Sequence, residues 1–186
     1  MRLVQTAIPG VVIVEPQVIS DERGWFAESW NESKFAATLH TLGLPASRPF
    51  VQDNHSCSKA GVLRGLHYQL PPHAQGKLVR VVRGAAFDVA VDIRRASPTF
   101  GRWAGALLTA SNHHQLWIPE GFAHAFLALE DDTHFLYKTT DVYAKDCERA
   151  LLWSDPAIGI VWPMRPDAVA AKDAAAPLLV RADVFD

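Results

Sequence analysis

The sequence predicts an all-β fold, an antiparallel sandwich or barrel with a few short helices. Apolar residues repeat with a period of two over much of the chain, which is typical of strands with one buried face. Turn-favouring residues interrupt these segments at short intervals, and only one segment has clear helical periodicity. The 186 residues can bury a substantial core, so we expect a single domain over residues 1–186.

The clear helical segment is expected over residues 33–42. Asn31 or Ser33 can cap its N-terminus, and Gly43 favours its end. Its apolar residues share one side at helical spacing: Phe35, Leu39 and Leu42. A shorter helix is expected after Pro166, through Ala171.

The period-two segments dominate the rest of the chain. In Ala86–Ile93, apolar residues alternate with Asp88 and Asp92. Turn residues such as Gly84 and the pair Ser111-Asn112 separate the segments. Further strands are expected at Leu78–Arg83, Trp103–Thr109, Gln115–Ile118, Ala125–Glu130 and His134–Thr140.

Composition and charge exclude several classes of function. The net charge of −2 gives no basic field for nucleic acid. No segment approaches the ~20 apolar residues that cross a bilayer, and the N-terminus lacks the apolar stretch of a signal peptide. The only cysteines, Cys57 and Cys147, do not have the spacing of a metal site. We expect a cytoplasmic protein, without membrane or nucleic-acid partners, whose thiols are reduced and buried.

Two histidine-containing stretches have the spacing of the motifs that supply metal ligands in cupin β-barrels. Gly61 is followed after five residues by His67, the first ligand position. The second histidine would stand at position 69, which is Gln69. The glutamate would stand seven residues before Gly84, where Lys77 is found. Two of the three ligands in the first motif are therefore replaced.

The second motif persists as Pro119-x-Gly121-x-x-His124. A cation at position 77 would repel a divalent metal, and the amide of Gln69 is a poor ligand. We therefore expect a cupin pocket that holds no metal. Period two places His67 and Gln69 on one face of their strand, which we expect to be the barrel interior.

The replaced ligands suit proton abstraction beside a carbonyl group. Neutral His67 can accept a proton near neutral pH, and the ammonium of Lys77 can stabilise the resulting oxyanion. Epimerisation also needs a proton donor on the opposite face, and the hydroxyl of Tyr137 fits this role. The base requires an orienting carboxylate. The sequence leaves four candidates for it: Asp53, Asp88, Asp92 and Asp173.

Many ordered stretches resemble one known family. From about residue 5 to 177, the chain resembles dTDP-4-dehydrorhamnose 3,5-epimerase, a metal-independent cupin of bacterial rhamnose synthesis. The matching stretches are Asp21–Glu28, Gln52–Ser56, Leu63–Gln69, Gln75–Val79, Asp88–Asp92, Ser97–Gly101, Trp117–His124 and Trp153–Pro156.

The resemblance implies a cupin jelly-roll barrel and an isomerase that uses no metal or cofactor. It implies epimerisation at C3 and C5 of dTDP-4-dehydro-6-deoxy-D-glucose to dTDP-4-dehydro-L-rhamnose. His67 would remove both protons, with Asp173 orienting its ring. Tyr137 would be the acid on the opposite face, and Lys77 would stabilise the enolate.

The resemblance also implies how the substrate is bound. Arg23 and Arg64 would grip the diphosphate, since guanidinium donors suit phosphate oxygens, and Tyr143 would stack on the thymine. The family is a homodimer in which exchanged N-terminal segments bring Arg23 to the neighbour's site. The remaining expected substrate contacts are Phe26, Glu28, Gln52, Asp53, Asn54, Gln69, His124, Glu148 and Lys172.

Four positions depart from the family pattern, and three alternative functions stay open. Ala125 replaces a usual Gly, Ala144-Lys145 replace Ser-Pro, and Ala170 replaces a Ser. One alternative is an enzyme that epimerises only C3 or only C5, or a ketoisomerase, acting on a related dTDP-keto-sugar. The second is a metal-dependent cupin oxygenase or isomerase, which Gln69 and Lys77 argue against. The third is a sugar-binding module, which would not need an acid and a base in one pocket.

Overall fold

The computed structural model describes residues 1–186 and consists mainly of antiparallel strands. The all-β prediction is confirmed. The strands are β1 (Arg2–Gln5), β2 (Val12–Glu15), β3 (Val18–Asp21), β4 (Gly24–Ala27), β5 (Gln52–Ser58), β6 (Val62–Gln69), β7 (Lys77–Arg83), β8 (Ala85–Asp92), β9 (Trp103–Thr109), β10 (Gln115–Ile118), β11 (Phe122–Ala128), β12 (Thr133–Thr139), β13 (Glu148–Ala150) and β14 (Ala168–Val169). The helices are α1 (Glu32–Thr41) and α2 (Ala171–Ala174), with 3₁₀ turns at Lys145–Cys147 and Leu179–Arg181.

Two sheets face each other, and β3 and β4 form a separate hairpin. The first sheet has the order β1-β2-β10-β7-β12-β5. The second has the order β13-β6-β11-β8-β9, and β14 pairs in parallel with β6. Neighbours in a sheet are mostly distant in sequence, so each sheet is assembled by long-range pairing. The strands that carry His67 and His124, β6 and β11, are adjacent, and their registers place these two residues opposite each other.

Apolar side chains fill three spaces around the sheets. The main cluster lies between the sheets and includes Val79, Phe126 and Phe135. A second cluster packs the outer face of the second sheet against the C-terminal segment. The third packs Phe35 and Leu39 of α1 against the outer face of the first sheet. Both faces of each sheet are therefore covered in part, and the cavity described below occupies the interior beside the main cluster.

Helix α1 lies one residue before the expected position and is capped by Asn31, whose side chain accepts from the Lys34 N–H at 3.0 Å. The helix expected after Pro166, through Ala171, is wrong. Ala168 and Val169 instead pair with β6, and α2 begins only at Ala171. Pairing with a distant strand overrides local helix propensity here.

Both cysteines are free, but neither is buried. Cys57 is exposed and Cys147 is half-buried, so the expectation of buried thiols is wrong. The reason is that β5 is an edge strand whose residues alternate between the interior and solvent, and position 57 faces solvent. Neither α1 nor α2 has the length and apolar character that crossing a membrane requires.

Candidate active site

A cavity of about 540 Å³ opens between the two sheets. It is lined by residues from β5, β6, β7, β11 and β12 and by the segment that contains β14 and α2. Seven of the residues predicted from the sequence line it: Arg64, His67, Lys77, His124, Tyr137, Lys172 and Asp173. The structure therefore brings into one cavity side chains that come from both halves of the chain.

His67 and Asp173 form a hydrogen-bonded pair on the cavity wall. Nε2 of His67 lies 2.7 Å from Oδ1 of Asp173, and the Asp173 side chain is only 2% exposed. The other oxygen of Asp173 accepts from the Gly65 N–H at 3.3 Å. A carboxylate accepts only, so Nε2 donates to it and Nδ1 keeps its lone pair. This arrangement suits a ring that accepts a proton at Nδ1.

The other three carboxylates left open by the sequence have different partners. Asp53 is exposed and pairs with Lys138 at 3.0 Å. The buried carboxylate of Asp88 contacts Nε2 of His124 at 2.9 Å. Asp92 accepts from the turn that follows it, including Arg94. Geometry therefore selects Asp173 as the partner of His67.

Burial lowers the pKa of His67. The hydrogen bond and charge of Asp173 oppose this effect, whereas the charges of Lys77 and Lys172 add to it. The net lowering means that His67 is mainly neutral at neutral pH, since the ordinary pKa of histidine is about 6.5. A neutral imidazole backed by a carboxylate is the form that a general base requires.

Lys77 is a buried cation at the start of β7. It is 7% exposed, and its Nζ donates to the backbone carbonyl of His67 at 3.2 Å. Burial lowers its pKa to about 8, with Asp88 and Glu148 acting in the opposite direction. The ammonium form still predominates at pH 7, so the cavity contains a positive charge that is poorly solvated and can stabilise an anion.

His124 is fixed by a second buried carboxylate. It faces the cavity from β11, and its partner Asp88 lies on the neighbouring strand β8 with no exposed surface. Burial raises the pKa of Asp88, while the charge and hydrogen bond of His124 oppose this. Oδ1 of Asp88 has no hydrogen-bond partner. One ring nitrogen of His124 is thus held by the protein, and the ring is oriented for contact with a ligand.

Tyr137 is half-buried on β12 and lines the cavity. Burial raises its pKa, with the charge of Arg64 opposing the effect. Its hydroxyl therefore stays protonated at neutral pH and is a proton donor. Arg64 lies on β6, where Ser58 Oγ accepts from its Nε at 3.1 Å. A histidine–carboxylate pair, a tyrosine hydroxyl and three cationic side chains thus share one cavity.

Comparisons with known proteins agree with this geometry. Residues 5–181 match the family model described as dTDP-4-dehydrorhamnose 3,5-epimerase. The chain belongs to the dTDP-4-dehydrorhamnose 3,5-epimerase family. It is 54% identical over 185 residues to the enzyme of that name from Shigella flexneri, covering 100% of this chain and 99% of the relative. It is 55% identical over 183 residues to the Salmonella typhimurium enzyme, covering 98% and 97%.

The fold of this epimerase family is also found in solved structures. A crystal structure of dTDP-6-deoxy-D-glucose-3,5-epimerase from Legionella pneumophila, in complex with dTDP-4-keto-L-rhamnose, has a TM-score of 0.90 and 46% identity. The match covers 98% of this chain and 94% of that one. The expected cupin-like jelly roll is confirmed, and so is the assignment of the chain as an isomerase of the epimerase type.

A second group of predicted residues extends from the cavity wall, to which Lys172 belongs, out to Tyr143. The Tyr143 hydroxyl donates to Glu148 Oε2 at 3.1 Å, and Lys172 Nζ donates to Glu148 Oε1 at 3.0 Å. Burial opposes ionisation of Glu148, but the bonds from Lys172 and Tyr143 outweigh it and lower its pKa. Because Lys172 is adjacent to Asp173 in sequence, these contacts connect the Tyr143 ring to the segment whose Asp173 hydrogen-bonds to His67.

Two of the predicted substrate-binding residues, Gln69 and Asp53, do not line the cavity. Gln69 is 3% exposed and does not line the cavity, because its amide bonds to the backbone of His73, Val142 and Ala144. Asp53 faces solvent because successive residues of β5 alternate between the two sides of the sheet. Gln52 and Asn54 lie on the opposite, half-buried side, where the amide of Gln52 donates to that of Asn54 at 2.9 Å.

The N-terminal hairpin is separate from the cavity in the single chain. Arg23 pairs with Asp21 at 2.5 Å, and Phe26 is 68% exposed at the same hairpin. Glu28 bonds to Asn31 and Lys34 of the α1 region. None of the three predicted residues lines the cavity.

Sequence reasoning missed two features of the cavity. Ser56 lines it, and period-two alternation from Asn54 could have indicated this. The wall from Ala168 to Ala170 had no sequence signal, since it is set by parallel pairing with β6. Ala125, which departs from the family pattern, packs against Gly65. A Cβ placed at position 65 would lie 2.4 Å from the Cβ of Ala125, so the glycine leaves the space that this alanine needs.

Proposed function

We propose that the protein epimerises C3 and C5 of dTDP-4-dehydro-6-deoxy-D-glucose, giving dTDP-4-dehydro-L-rhamnose. One observation carries the proposal: the pair of His67 and Asp173 shares a cavity with the ammonium of Lys77 and the hydroxyl of Tyr137. These groups are the base, the oxyanion partner and the acid that epimerisation beside a ketone requires. The family to which the chain belongs is named for the same reaction.

Each inversion takes two proton transfers. Nδ1 of His67 removes the proton from the carbon next to the C4 ketone, and the C–H electron pair forms an enolate whose oxygen is stabilised by Lys77. Tyr137 then donates its hydroxyl proton to the opposite face of that carbon, and the enolate returns to the ketone. His67 is left protonated and Tyr137 ionised, so exchange with solvent restores both groups. The same sequence at the second carbon completes the reaction.

The substrate is proposed to extend from the cavity towards Tyr143. Arg64, at the cavity mouth, is suited to binding the diphosphate, and the exposed ring of Tyr143 is suited to stacking on the thymine of the substrate. Gln52, Asn54, His124, Glu148 and Lys172 surround the path between these ends. The protein is proposed to act as a cytoplasmic homodimer, in which a neighbouring chain supplies Arg23, Phe26 and Glu28. The exposure of Phe26 and the separation of this hairpin from the cavity support the dimer.

The decisive experiment follows solvent deuterium into dTDP-4-dehydro-6-deoxy-D-glucose by NMR. We expect deuterium at both C3 and C5 with the parent protein and none above background with His67→Ala. His40→Ala is a matched control, because His40 is an exposed residue of α1 outside the cavity. Deuterium at one carbon only would reduce the activity to a single epimerisation. Absence of exchange with the parent protein would refute the proposed reaction on this substrate.

A further inference from the structure

The turn that carries Tyr143 is held by three glutamine side chains. Gln75 donates to the carbonyl of residue 141 at 2.8 Å, and Gln52 accepts from the N–H of Tyr143 at 2.9 Å. Gln69 makes two bonds to the same turn, donating to the carbonyl of residue 142 at 3.1 Å and accepting from the N–H of residue 144 at 2.8 Å. Four consecutive residues, 141–144, are thus bound through their backbones.

These glutamines come from different parts of the barrel. Gln52 begins β5, Gln69 ends β6, and Gln75 lies in the segment before β7. An exposed turn does not need such contacts, because water satisfies its backbone groups. Here Gln69 is 3% exposed, and its amide also donates to the carbonyl of His73 at 2.6 Å. The turn is therefore fixed to the rigid part of the fold through a buried amide.

The Tyr143 ring stands out from this fixed backbone. It is 54% exposed, and its hydroxyl is held by Glu148 at 3.1 Å. An exposed aromatic ring whose backbone and hydroxyl are both fixed loses little conformational entropy when it stacks on a flat ligand. The ligand suited to it is a planar heterocycle such as a nucleoside base.

We propose that Gln69 is a positioning residue that, with Gln52 and Gln75, fixes Tyr143 as the platform on which the nucleoside base of the substrate stacks. This inference rests on the proposed function. It assigns Gln69 the role of supporting the backbone of Tyr143 and does not assign it a contact with substrate. Because Gln69 lies two residues after His67 on β6, a single strand sets the distance between the base-stacking platform and the reacting carbon. Loss of Gln69 should weaken binding and leave the chemical step largely intact.

The first test separates binding from chemistry with Gln69→Met, which keeps the side chain's length and removes its hydrogen bonds. We expect the Kd for dTDP and the KM for substrate to rise about tenfold, as expected for the net loss of one or two hydrogen bonds, with kcat within about threefold of the parent. In a Tyr143→Ala background, the same substitution should change Kd by less than about twofold. Equal effects in both backgrounds, or a lower kcat at unchanged KM, would overturn the proposal.

The second test needs no substrate. The chain has three tyrosines, so ¹⁹F NMR of 3-fluorotyrosine-labelled protein resolves Tyr143, assigned with Tyr143→Phe. Gln69→Met should move the Tyr143 signal towards that of free fluorotyrosine and leave the Tyr137 signal in place.

The control, Asn112→Leu, removes an amide that bonds to backbone N–H groups of the turn between β9 and β10, and should leave the Tyr143 signal unchanged. Gln69→Glu keeps an acceptor for residue 144 and should give an intermediate shift if Gln69→Met fails to fold. If the Tyr143 signal does not move in a folded Gln69 variant, the proposal that Gln69 positions Tyr143 is refuted. If the parent protein does not bind dTDP, the proposed function is refuted. The ¹⁹F spectrum would still test separately whether Gln69 positions Tyr143.

Discussion

Replacing Asp173 with asparagine preserves the shape of the side chain and removes its charge, and the surroundings decide which way the amide faces. One oxygen of Asp173 accepts from the Gly65 N–H at 3.3 Å, and the other contacts Nε2 of His67 at 2.7 Å. Only the amide oxygen can accept from Gly65, so the amide nitrogen must face His67. That nitrogen donates, which requires a lone pair on Nε2 and moves the ring proton to Nδ1.

The size of the effect follows from these contacts. A ring protonated at Nδ1 has no lone pair for the substrate, and turning the amide over leaves the Gly65 N–H unpaired at a cost of about 1–3 kcal/mol. The imidazolium formed on proton abstraction also loses its counter-charge, worth about 4 kcal/mol for unit charges centred roughly 4 Å apart at an effective dielectric constant near 20. Solvent screens part of this, because the His67 side chain is 28% exposed. We expect kcat to fall roughly 10²- to 10⁴-fold.

The assay is the rate of deuterium incorporation at C3 and C5, measured across a pH series. Because Asp173 raises the pKa of His67, its loss should also move the rising limb of residual activity to lower pH. Asp155→Asn is the matched control, since Asp155 is equally buried and its two oxygens accept backbone N–H groups at 2.8 and 2.7 Å far from the cavity. An Asp173→Asn rate within about tenfold of the parent, or an equal loss in the control, would refute the reasoning.

Three further predictions concern the other groups. Lys77→Met should abolish deuterium exchange. It should also raise the free energy of unfolding at pH 7 by about 2 kcal/mol, as measured by urea titration. The fold lowers the pKa of Lys77 from 10.5 to about 8, which corresponds to a penalty of about 3 kcal/mol for the buried ammonium, and the loss of one hydrogen bond offsets part of the gain from removing it. This gain should disappear above about pH 11, where the lysine is neutral in both the folded and the unfolded state, and parent kcat should fall above about pH 8. Tyr137→Phe should retain proton removal and lose inversion at both C3 and C5, because the same hydroxyl is proposed to reprotonate both carbons; unchanged inversion would exclude Tyr137 as the acid. Ala170→Ser should add about 0.5–1 kcal/mol to the free energy of unfolding and so raise the melting temperature, because α2 has no side-chain cap at Ala170. An unchanged melting temperature would show that the serine does not cap the helix.

The fold was predictable where strands have one buried and one exposed face. The strand Trp103–Thr109 was predicted with its observed bounds because its residues alternate regularly in burial. Strand β5 was not predicted as a strand, because both of its faces carry polar residues: Ser56 on the inner face lines the cavity, and the outer face meets solvent. The hairpin of β3 and β4 likewise has no buried face to produce a pattern. Functional surfaces therefore conceal the periodicity on which strand prediction depends.

The site was predictable where short-range spacing defines it. His67, Lys77 and His124 follow from two motifs whose residue spacing is fixed by adjacent strands. The pairing of His67 with Asp173 spans 106 positions in sequence, and no local pattern encodes a contact of that length. Only the pairing of Ala168 and Val169 with β6 brings α2 and its carboxylate to the ring.

The positions that hold metal ligands in related barrels have each acquired another use here. His67 keeps its place and is hydrogen-bonded to Asp173, and the amide at position 69 binds the turn of Tyr143. At position 77, the ammonium places a positive charge in the cavity, and its proposed use is to stabilise an oxyanion. Because burial lowers the pKa of Lys77 to about 8, this charge can be lost by deprotonation, unlike that of a metal ion. Under the proposed mechanism, the pH range of the reaction is therefore limited by the lysine that provides the charge for the enolate.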